Sequence, residues 1–283
     1  MLSGEIEPIR AENYEFLQQH VHAASGILIG QDKHYLFECR LAPIVSRLGL
    51  HSVNDLCNLL RGTREAEIGR EVAEVMTINE TYFFRDPAQY DAVRDRLLPA
   101  LKEECKHSRR LRFWSAAAST GQEAYSLAIT LLEAGFGDWD IEILGTDLSS
   151  SVLDRARAGH YRQIEVNRGM PATLLVKYFT RAGVTWKLND NVRRMVRFEK
   201  MDLRNSVGGN GQFQLIFCRN VLIYFDPVTR SGVIDRMHKA LLPGKWLYFG
   251  GAEAYAGLDT WFQRECVGDS IVYVARKESA CQR

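Results

Sequence analysis

Polar side chains interrupt an apolar run late in the chain, in the segment Cys218-Arg219-Asn220-Val221-Leu222-Ile223-Tyr224-Phe225-Asp226. Residues 213–217, directly before it, have the mostly apolar pattern of a central parallel strand. Since ligands bind beyond the carboxyl ends of the strands in open α/β sheets, we expect Arg219, Asn220 and Tyr224 to face a ligand crevice. The competing interpretation is a strand and a turn, in which Asn220 is a cap and Tyr224 packs in the core.

A loop of small residues at 115–121, Ser-Ala-Ala-Ala-Ser-Thr-Gly, connects a predicted strand to a predicted helix. Such a loop lets a ligand approach the backbone. It also presents amide donors and the positive end of the helix, which suits a carboxylate or another anionic group. Only Gly121 is glycine, so the case for a dinucleotide-binding GxGxxG turn is weak.

Asp147 stands at the end of the next predicted strand, about 26 residues after the loop of small residues. A carboxylate at this point can accept hydrogen bonds from both hydroxyls of a ribose, and its spacing from the loop favours a nucleoside ligand. In the competing interpretation, Asp147 or Ser149 caps the following helix by bonding its first amides.

Composition limits the classes of protein to consider. The 283 residues are 46% hydrophobic and 25% charged, which is typical of a soluble globular protein. With 36 basic and 35 acidic residues, the net charge of +1 argues against nucleic acid or an anionic membrane as partner. No signal-peptide pattern or apolar run of about 20 residues occurs, so we expect a cytoplasmic protein without membrane insertion.

The cysteines show no CxxC spacing, which argues against a zinc site and against a disulfide framework. We therefore expect reduced thiols and no metal. Separately, we expect a monomer. The six cysteines are Cys39, Cys57, Cys105, Cys218, Cys266 and Cys281.

Two parts of the chain differ in their hydrophobic period. Residues 11–101 show helical periods with breaks at Gly26, Gly30, 50–52 and 62–63. After Pro99 strands and helices alternate, which predicts βαβ units and a parallel sheet. The predicted elements are a strand at 111–115, a helix at 121–134, a strand at 141–146, a helix at 149–157, a strand at 213–217, a helix at 227–242, a strand at 246–250 and an antiparallel pair at 260–265 and 270–275.

The connection at 159–200 is longer than a normal loop and contains short alternating segments. Residues 184–188 and 192–198, joined by the turn Asn189-Asp190-Asn191, predict a small antiparallel hairpin inserted in the sheet domain.

Basic residues recur every seven positions along one predicted helix at 31–50. Lys33, Arg40 and Arg47 lie beside an apolar stripe of Phe37, Leu41, Ile44 and Leu48. An ordinary solvated helix face explains such a row. The alternative is a docking face for an acidic partner helix.

Residues 77–85, Thr-Ile-Asn-Glu-Thr-Tyr-Phe-Phe-Arg, mix aromatic and polar side chains just before the sheet domain. Taken alone, the aromatic pair Phe83 and Phe84 docks the helical part on the sheet, and Arg85 pairs with Asp86 or Glu80 at the surface. In combination with the other segments, this interpretation is less favoured.

Together, residues 77–85, 114–126, 145–149 and 218–226 resemble the bacterial chemotaxis receptor methyltransferases of the CheR type, in the same order and over nearly the whole chain. The resemblance implies an α/β fold with a helical N-terminal domain at 1–85 and a Rossmann-like S-adenosylmethionine-dependent methyltransferase domain at 86–283. A small antiparallel β-subdomain is inserted at 180–198. It implies transfer of a methyl group to glutamate side chains on the cytoplasmic signalling domain of chemoreceptors, with S-adenosylhomocysteine as product.

The resemblance also implies roles for individual residues. Arg85 and Tyr224 match the pair that orients the reacting groups, and we predict them as catalytic. Glu123 is expected to hold the cofactor's ammonium group and Asp147 its ribose, while Asp202 accepts from the adenine amino group. The predicted cofactor-binding residues are Asn79, Thr81, Arg85, Glu123, Asp147, Asp202, Leu203, Arg219, Asn220 and Val221, and the predicted receptor-docking residues are Lys33, Arg40 and Arg47.

The chain departs from its relatives in the inserted hairpin. Relatives that bind a pentapeptide tether at the receptor C terminus carry a glycine-rich loop there, and the shorter loop of this chain puts tether binding in doubt. The alternative function is a non-catalytic adaptor of the same fold that binds chemoreceptors or a regulator. Methylation of nucleic acid is disfavoured by the neutral net charge and because Arg219-Asn220-Val221-Leu222 replaces an Asn-Pro-Pro-aromatic segment.

Overall fold

The computed structural model describes residues 7–62, 65–206 and 212–276. These residues form two compact units. One contains the described residues up to Ile78 together with Tyr224–Arg230, and the other contains those of Asn79–Ile223 together with those from Ser231 onward. Thr63 and Cys281 lie outside the described residues, and the other five cysteines are free thiols.

The first unit is helical, as predicted. Its helices are α1 (Ala11–Ser25), α2 (His34–Arg47), α3 (Val53–Leu60) and α4 (Glu65–Val75). Leu17 and Val21 of α1, Phe37 and Leu41 of α2, and Leu56 of α3 are fully buried. The spacing of four residues within α1 and within α2 places each pair on one helix face, which forms the core of this unit.

The predicted basic row lies only partly on a helix. Helix α2 begins at His34, so Lys33 precedes it, and Leu48 follows the helix and is half-buried. Arg40 donates hydrogen bonds to the carbonyls of Met76 (2.8 Å) and Thr77 (2.9 Å), and Arg47 pairs with Glu71. Two of the three cations therefore have partners within their own unit.

The segment Tyr224–Arg230 pairs with the loop after α1. Ile27 forms an antiparallel bridge with Phe225, and the amide of Leu28 donates to the carbonyl of Tyr224 at 2.8 Å. The Asp226 carboxylate accepts from Val228 and Thr229, so it caps the next helix, and lies 3.3 Å from Nε2 of His22.

The second unit is an α/β domain that alternates strands and helices. It begins with α5 (Pro87–Ala92), a π-helical turn (Val93–Leu97) and α6 (Leu98–Glu104). The helices and strands that follow are β1 (Arg110–Ala116), α7 (Gln122–Glu133), β2 (Asp140–Asp147), α8 (Ser150–Ala158), β3 (His160–Arg162), α9 (Gln163–Asn167), α10 (Ala172–Tyr178), β4 (Phe179–Ala182), β5 (Thr185–Leu188), α11 (Asp190–Arg193), β6 (Val196–Lys200), β7 (Phe213–Cys218), α12 (Pro227–Ala240), β8 (Leu241–Tyr248), β9 (Phe262–Val267) and β10 (Ser270–Ala275). The beginning of α12, up to Arg230, belongs to the first unit.

The main sheet has seven strands in the order β6-β2-β1-β7-β8-β10-β9. Strands β6, β2, β1, β7 and β8 are parallel, and β10 and β9 complete the sheet as an antiparallel pair. Phe113, Ile143 and Phe217 of the central strands are buried together with Tyr125 and Leu127 of α7. The predicted fold class is confirmed, and the parallel strands end at one common edge.

The predicted hairpin was wrong in its pairing. β4 and β5 form the hairpin across Gly183-Val184, and β3 adds to β5, so the small antiparallel sheet runs β3-β5-β4. Residues 190–193 are helical after the cap residue Asn189, and β6 pairs in parallel with β2 of the main sheet. The polar run at 189–191 suits a turn or a helix start equally well, whereas Gly183 has the positive φ of 60° that hairpin turns use.

A second difference lies before β8. Helix α12 ends at Ala240 rather than at residue 242, and β8 already begins at Leu241. Pro243 and Gly244 lie within this strand, where the register with β7 shifts between Phe213 and Leu215. Gly244 has φ of 77°, which a β-bulge can accommodate and regular strand cannot.

Candidate active site

Several predicted cofactor residues lie at or after the carboxyl ends of parallel strands: Glu123 after β1, Asp147 at the end of β2, Asp202 and Leu203 after β6, and residues 219–221 after β7. The chain reverses here through non-glycine residues in the left-handed region: Ala117 and Ser119 after β1, and Asn220 after β7, with φ of 65°, 50° and 58°. Such conformations cost free energy and occur most often at functional sites.

The loop of small residues after β1 is held tightly to its neighbours. The Ala118 amide donates to the Thr146 carbonyl at 2.8 Å, and the Ser119 hydroxyl donates to the Asn79 carbonyl at 2.8 Å. Gly121 ends the loop with φ of 93°, and a Cβ at this position would lie 3.0 Å from Ala156 and Tyr125 atoms. Only glycine fits this turn, which begins α7.

Asp147 is fixed at the end of β2 and is 7% exposed. One carboxylate oxygen accepts from the Ser119 amide at 2.9 Å, and the other accepts from the Ser149 amide at 3.0 Å. The contact with Ser149, the residue directly before α8, resembles the capping role that was considered from the sequence. The carboxylate also joins the end of β2 to the loop after β1, which capping alone does not require.

Arg219 is the centre of a buried ionic network. Its side chain is 1% exposed, and one guanidinium nitrogen donates to the Glu123 carboxylate at 3.1 Å. The other terminal nitrogen donates to the Asp86 carboxylate at 2.5 Å and to the Arg85 carbonyl at 2.6 Å. Because its side chain is committed to these partners, Arg219 links β7 to α7 and to the segment before α5.

The charges of this network shift the acidity of its members. Burial raises the pKa of Glu123, and the Arg219 guanidinium and the Ser115 hydroxyl oppose this rise. Burial alone would raise the pKa of Asp86, but the Gly251 amide and Arg219 hold it below its ordinary value. Burial alone would lower the pKa of Arg219, and the carboxylates of Glu123 and Asp86 raise it instead. Arg219 is therefore charged at neutral pH.

Glu123 lies in the first turn of α7 and is 8% exposed. Its two oxygens accept from the Ser115 hydroxyl at 2.7 Å and from Arg219 at 3.1 Å. A carboxylate can accept about four hydrogen bonds, so Glu123 retains capacity for a cationic ligand group.

Arg85 lies between two strained residues, Phe84 and Asp86, whose φ values are 52° and 56°. Its guanidinium donates to the Glu80 carbonyl at 3.2 Å and lies 5.6 Å from the centre of the Tyr82 ring. Arg85 is half-buried, and its backbone is held by Arg219. The surface pairing with Asp86 considered from the sequence does not form, because Asp86 pairs with Arg219.

The remaining predicted cofactor residues differ in how they are held. Asn79, Thr81 and Val221 are half-buried, and Leu203 is 8% exposed. Asp202 is paired with Arg204 at 2.7 Å. Tyr224 belongs to the first unit, in the 3-10 turn Leu222–Tyr224, and is half-buried there.

The sequence analysis did not identify two acidic residues of the candidate site. Asp86 was considered only as a surface partner of Arg85, and Glu253 was not considered. Glu253 accepts from the amides of Asn220 at 2.8 Å and of Gly250 at 2.5 Å. An acid shortly after Gly250-Gly251 at the end of a predicted strand is a signal that could have identified it.

The two parts of the chain match known protein families. Residues 12–76 match the family described as "CheR methyltransferase, all-alpha domain", and residues 79–269 match "CheR methyltransferase, SAM binding domain". The chain is 36% identical over 271 residues to the "Chemotaxis protein methyltransferase" of Vibrio parahaemolyticus, covering 94% of this chain and 97% of that protein.

Two further similarities were found. The "Chemotaxis protein methyltransferase 1" of Pseudomonas aeruginosa is 33% identical over 275 residues, which cover 93% of this chain and 98% of that protein. A solved SAM-dependent methyltransferase from Methanosarcina mazei is 15% identical, with a TM-score of 0.30 over 49% of this chain and 50% of that chain.

Proposed function

The chain belongs to the CheR methyltransferase family, and from this premise we propose that it transfers the methyl group of S-adenosylmethionine to glutamate side chains of chemoreceptors, forming glutamyl methyl esters. The acceptors are glutamates on the cytoplasmic signalling domain of the receptor, and the protein acts in the cytoplasm as a monomer. Among the described residues, no helix is long and apolar enough to cross a bilayer.

The observation that carries the proposal is the placement of two buried carboxylates inside the region that matches the SAM-binding family. Glu123 and Asp147 follow β1 and β2 at the carboxyl edge of the sheet. A carboxylate is the side chain that best binds an ammonium group, and one beyond a strand end suits ribose hydroxyls. The residues therefore fit the amino-acid and ribose parts of the cofactor.

The rest of the cofactor would be held by less polar groups. Leu203 offers an apolar surface to the adenine, and Asp202 offers an acceptor to its amino group although it already pairs with Arg204. The bound cofactor supplies an electrophilic methyl group on a positively charged sulfur.

The acceptor needs no general base, because a glutamate with an ordinary pKa of about 4.3 is ionised at neutral pH. The protein's task is to align this carboxylate with the methyl group and to exclude water. Arg85 is suited to bind a carboxylate through its guanidinium, and the Tyr224 hydroxyl can donate one hydrogen bond to it. We assign these two residues to orientation of the acceptor.

The adaptor alternative is not favoured, since the family residues Arg85, Asp147 and Tyr224 are all present. An adaptor has no need for carboxylates buried beside a strained loop. The shortened hairpin loop of the insertion leaves tether binding outside the proposal.

The proposal is tested with labelled S-adenosylmethionine and a receptor signalling fragment. We expect label on the receptor that mild base releases as methanol, and none on a fragment whose acceptor glutamates are replaced by alanine. Binding of the fragment without label transfer would support the adaptor instead. Label that resists base would exclude a methyl ester.

A further inference from the structure

A carboxylate beyond β8 holds the strained residue that follows β7. We propose that Glu253 is a positioning residue of the cofactor site, which fixes Asn220 in its left-handed conformation. This inference rests on the proposed function, because Asn220 is a predicted cofactor contact of the methyltransferase.

The contacts of Glu253 are directed at backbone amides on two strand ends. One oxygen accepts from the Asn220 amide at 2.8 Å and from the Gly250 amide at 2.5 Å, and the other accepts from the Tyr255 hydroxyl at 2.6 Å. The Glu253 amide in turn donates to the Gly250 carbonyl at 2.8 Å, which closes a turn at 250–253. Hydrogen bonds to an ionised acceptor are stronger than neutral ones, so this carboxylate joins the ends of β7 and β8 firmly.

Asn220 needs such support because its φ of 58° is unfavourable for a residue with a side chain. Its side chain also packs directly on Gly250. A Cβ at position 250 would lie 2.6 Å from Nδ2 of Asn220 and 2.7 Å from the Glu253 carboxylate. Glu253 therefore holds the backbone of Asn220, and the absence of a side chain at Gly250 leaves room for the Asn220 carboxamide.

The same turn also reaches the ionic network around Arg219. The Gly251 amide donates to the Asp86 carboxylate at 3.0 Å, and Asp86 pairs with Arg219. Glu253 is half-buried, and its partners are all within the domain. It thus acts on the cofactor through Asn220 rather than by contact with the reacting groups.

The test measures cofactor affinity separately from methyl transfer. Calorimetry with S-adenosylhomocysteine is carried out on wild type, Glu253→Gln and the control Glu265→Gln, an exposed residue of β9 that has no ion pair among the described residues. The carbonyl oxygen of Gln can still accept from both N–H groups, but without the negative charge these hydrogen bonds are weaker, so we expect affinity about tenfold weaker in Glu253→Gln. The control should bind as wild type does.

Kinetics distinguish positioning from a loss of fold. In Glu253→Gln, KM for S-adenosylmethionine should rise by a similar factor, while KM for receptor stays unchanged. A double-mutant cycle adds Asn220→Ala: if Glu253 acts through the Asn220 side chain, Glu253→Gln should weaken binding little further in that background.

Two further variants cover the case in which Glu253→Gln does not fold. Gly250→Ala retains Glu253 but crowds both its carboxylate and the Asn220 side chain, and Tyr255→Phe removes only the bond to the second oxygen. We expect weaker binding in both, with the larger effect in Gly250→Ala. Unchanged affinity in every folded variant, or additive effects with Asn220→Ala, would overturn the inference. Failure of the wild-type protein to bind S-adenosylhomocysteine would instead contradict the proposed function.

Discussion

The guanidinium of Arg219 lies 3.1 Å from the Glu123 carboxylate, and the two side chains are 1% and 11% exposed. One charge is thus neutralised by another inside the domain, at the carboxyl edge of the sheet. The pair joins α7 to the segment that follows β7, and Arg219 also donates to the Asp86 carboxylate and to the Arg85 carbonyl. Both side chains are largely buried, so bulk water is a poor alternative partner for either charge.

Replacing Arg219 by glutamine should therefore destabilise the domain strongly. Removing one partner of a buried ion pair leaves the other charge uncompensated, at a cost of about 3–5 kcal/mol. Urea unfolding of Arg219→Gln measures this loss. The control is Arg96→Gln, since Arg96 is exposed and without an ion pair among the described residues, and it should unfold as wild type does. Equal midpoints for both variants would show that the network is not stabilising.

The destabilisation of Arg219→Gln should shrink as pH falls. Burial already raises the folded-state pKa of Glu123, and loss of Arg219 removes an opposing influence, so this pKa rises further. Between the unfolded value of about 4.3 and the raised folded value, the folded variant binds more protons than the unfolded chain does. Its stability must then increase as pH decreases through this window.

Urea unfolding at a series of pH values above about 5 checks this sign. Asp86 also loses Arg219 in this variant, which removes one of the influences that lower its pKa, while the Gly251 amide remains. The matched control is Arg219→Gln with Glu123→Gln, for which the difference from wild type should depend less on pH than it does for Arg219→Gln alone. If the stability difference between Arg219→Gln and wild type grew as pH falls, the raised pKa of Glu123 would be wrong.

Asp147→Ala should weaken binding of S-adenosylhomocysteine by about 1–3 kcal/mol, the range for hydrogen bonds to a charged group. Calorimetry measures the change, and Asp154→Ala is the control because, within the described part of the chain, Asp154 pairs only with Arg157 on the surface of α8. Since Asp147 also accepts from Ser119 and Ser149, the melting temperature is measured in parallel. Unchanged affinity in a folded variant would leave Asp147 with the capping role alone.

Local periodicity was sufficient to predict the alternation of strands and helices, because each central strand is a short apolar run followed by an amphipathic or buried helix. It was not sufficient to predict the pairing of the inserted hairpin, because Asn189-Asp190 is compatible with both a turn and the start of a helix. The partners of Arg219 could not be predicted locally, since Glu123 and Asp86 lie 96 and 133 residues away in sequence. The residue types at the site were predictable, but which charges neutralise one another depends on the tertiary fold.

The docking prediction for Lys33, Arg40 and Arg47 is now best tested by charge exchange. Arg47→Glu alone would break the ion pair with Glu71. The double exchange Arg47→Glu with Glu71→Arg keeps an ion pair and moves the positive charge from position 47 to position 71. Reversal of Lys33, combined with this exchange, should raise KM for receptor and leave cofactor affinity unchanged, because a glutamate-rich acceptor region carries negative charge.

Salt dependence is the independent check on docking. Exposed charges are screened beyond about 8 Å at physiological ionic strength, so receptor association should slow with salt in wild type and respond less in the charge-exchanged protein. Equal, salt-insensitive binding in both would identify the row as an ordinary solvated helix face.

The central claim is that Arg85 and Tyr224 orient an acceptor carboxylate, and rapid-quench single-turnover transfer of labelled methyl to receptor tests it most directly. We expect Arg85→Ala and Tyr224→Phe to lower the transfer rate about 100-fold or more, as loss of one preorganised donor does, with melting temperatures close to that of wild type. Arg96→Ala and Tyr35→Phe, both at exposed positions, should transfer at the wild-type rate. Wild-type rates of base-labile methyl transfer in both Arg85→Ala and Tyr224→Phe would contradict the account.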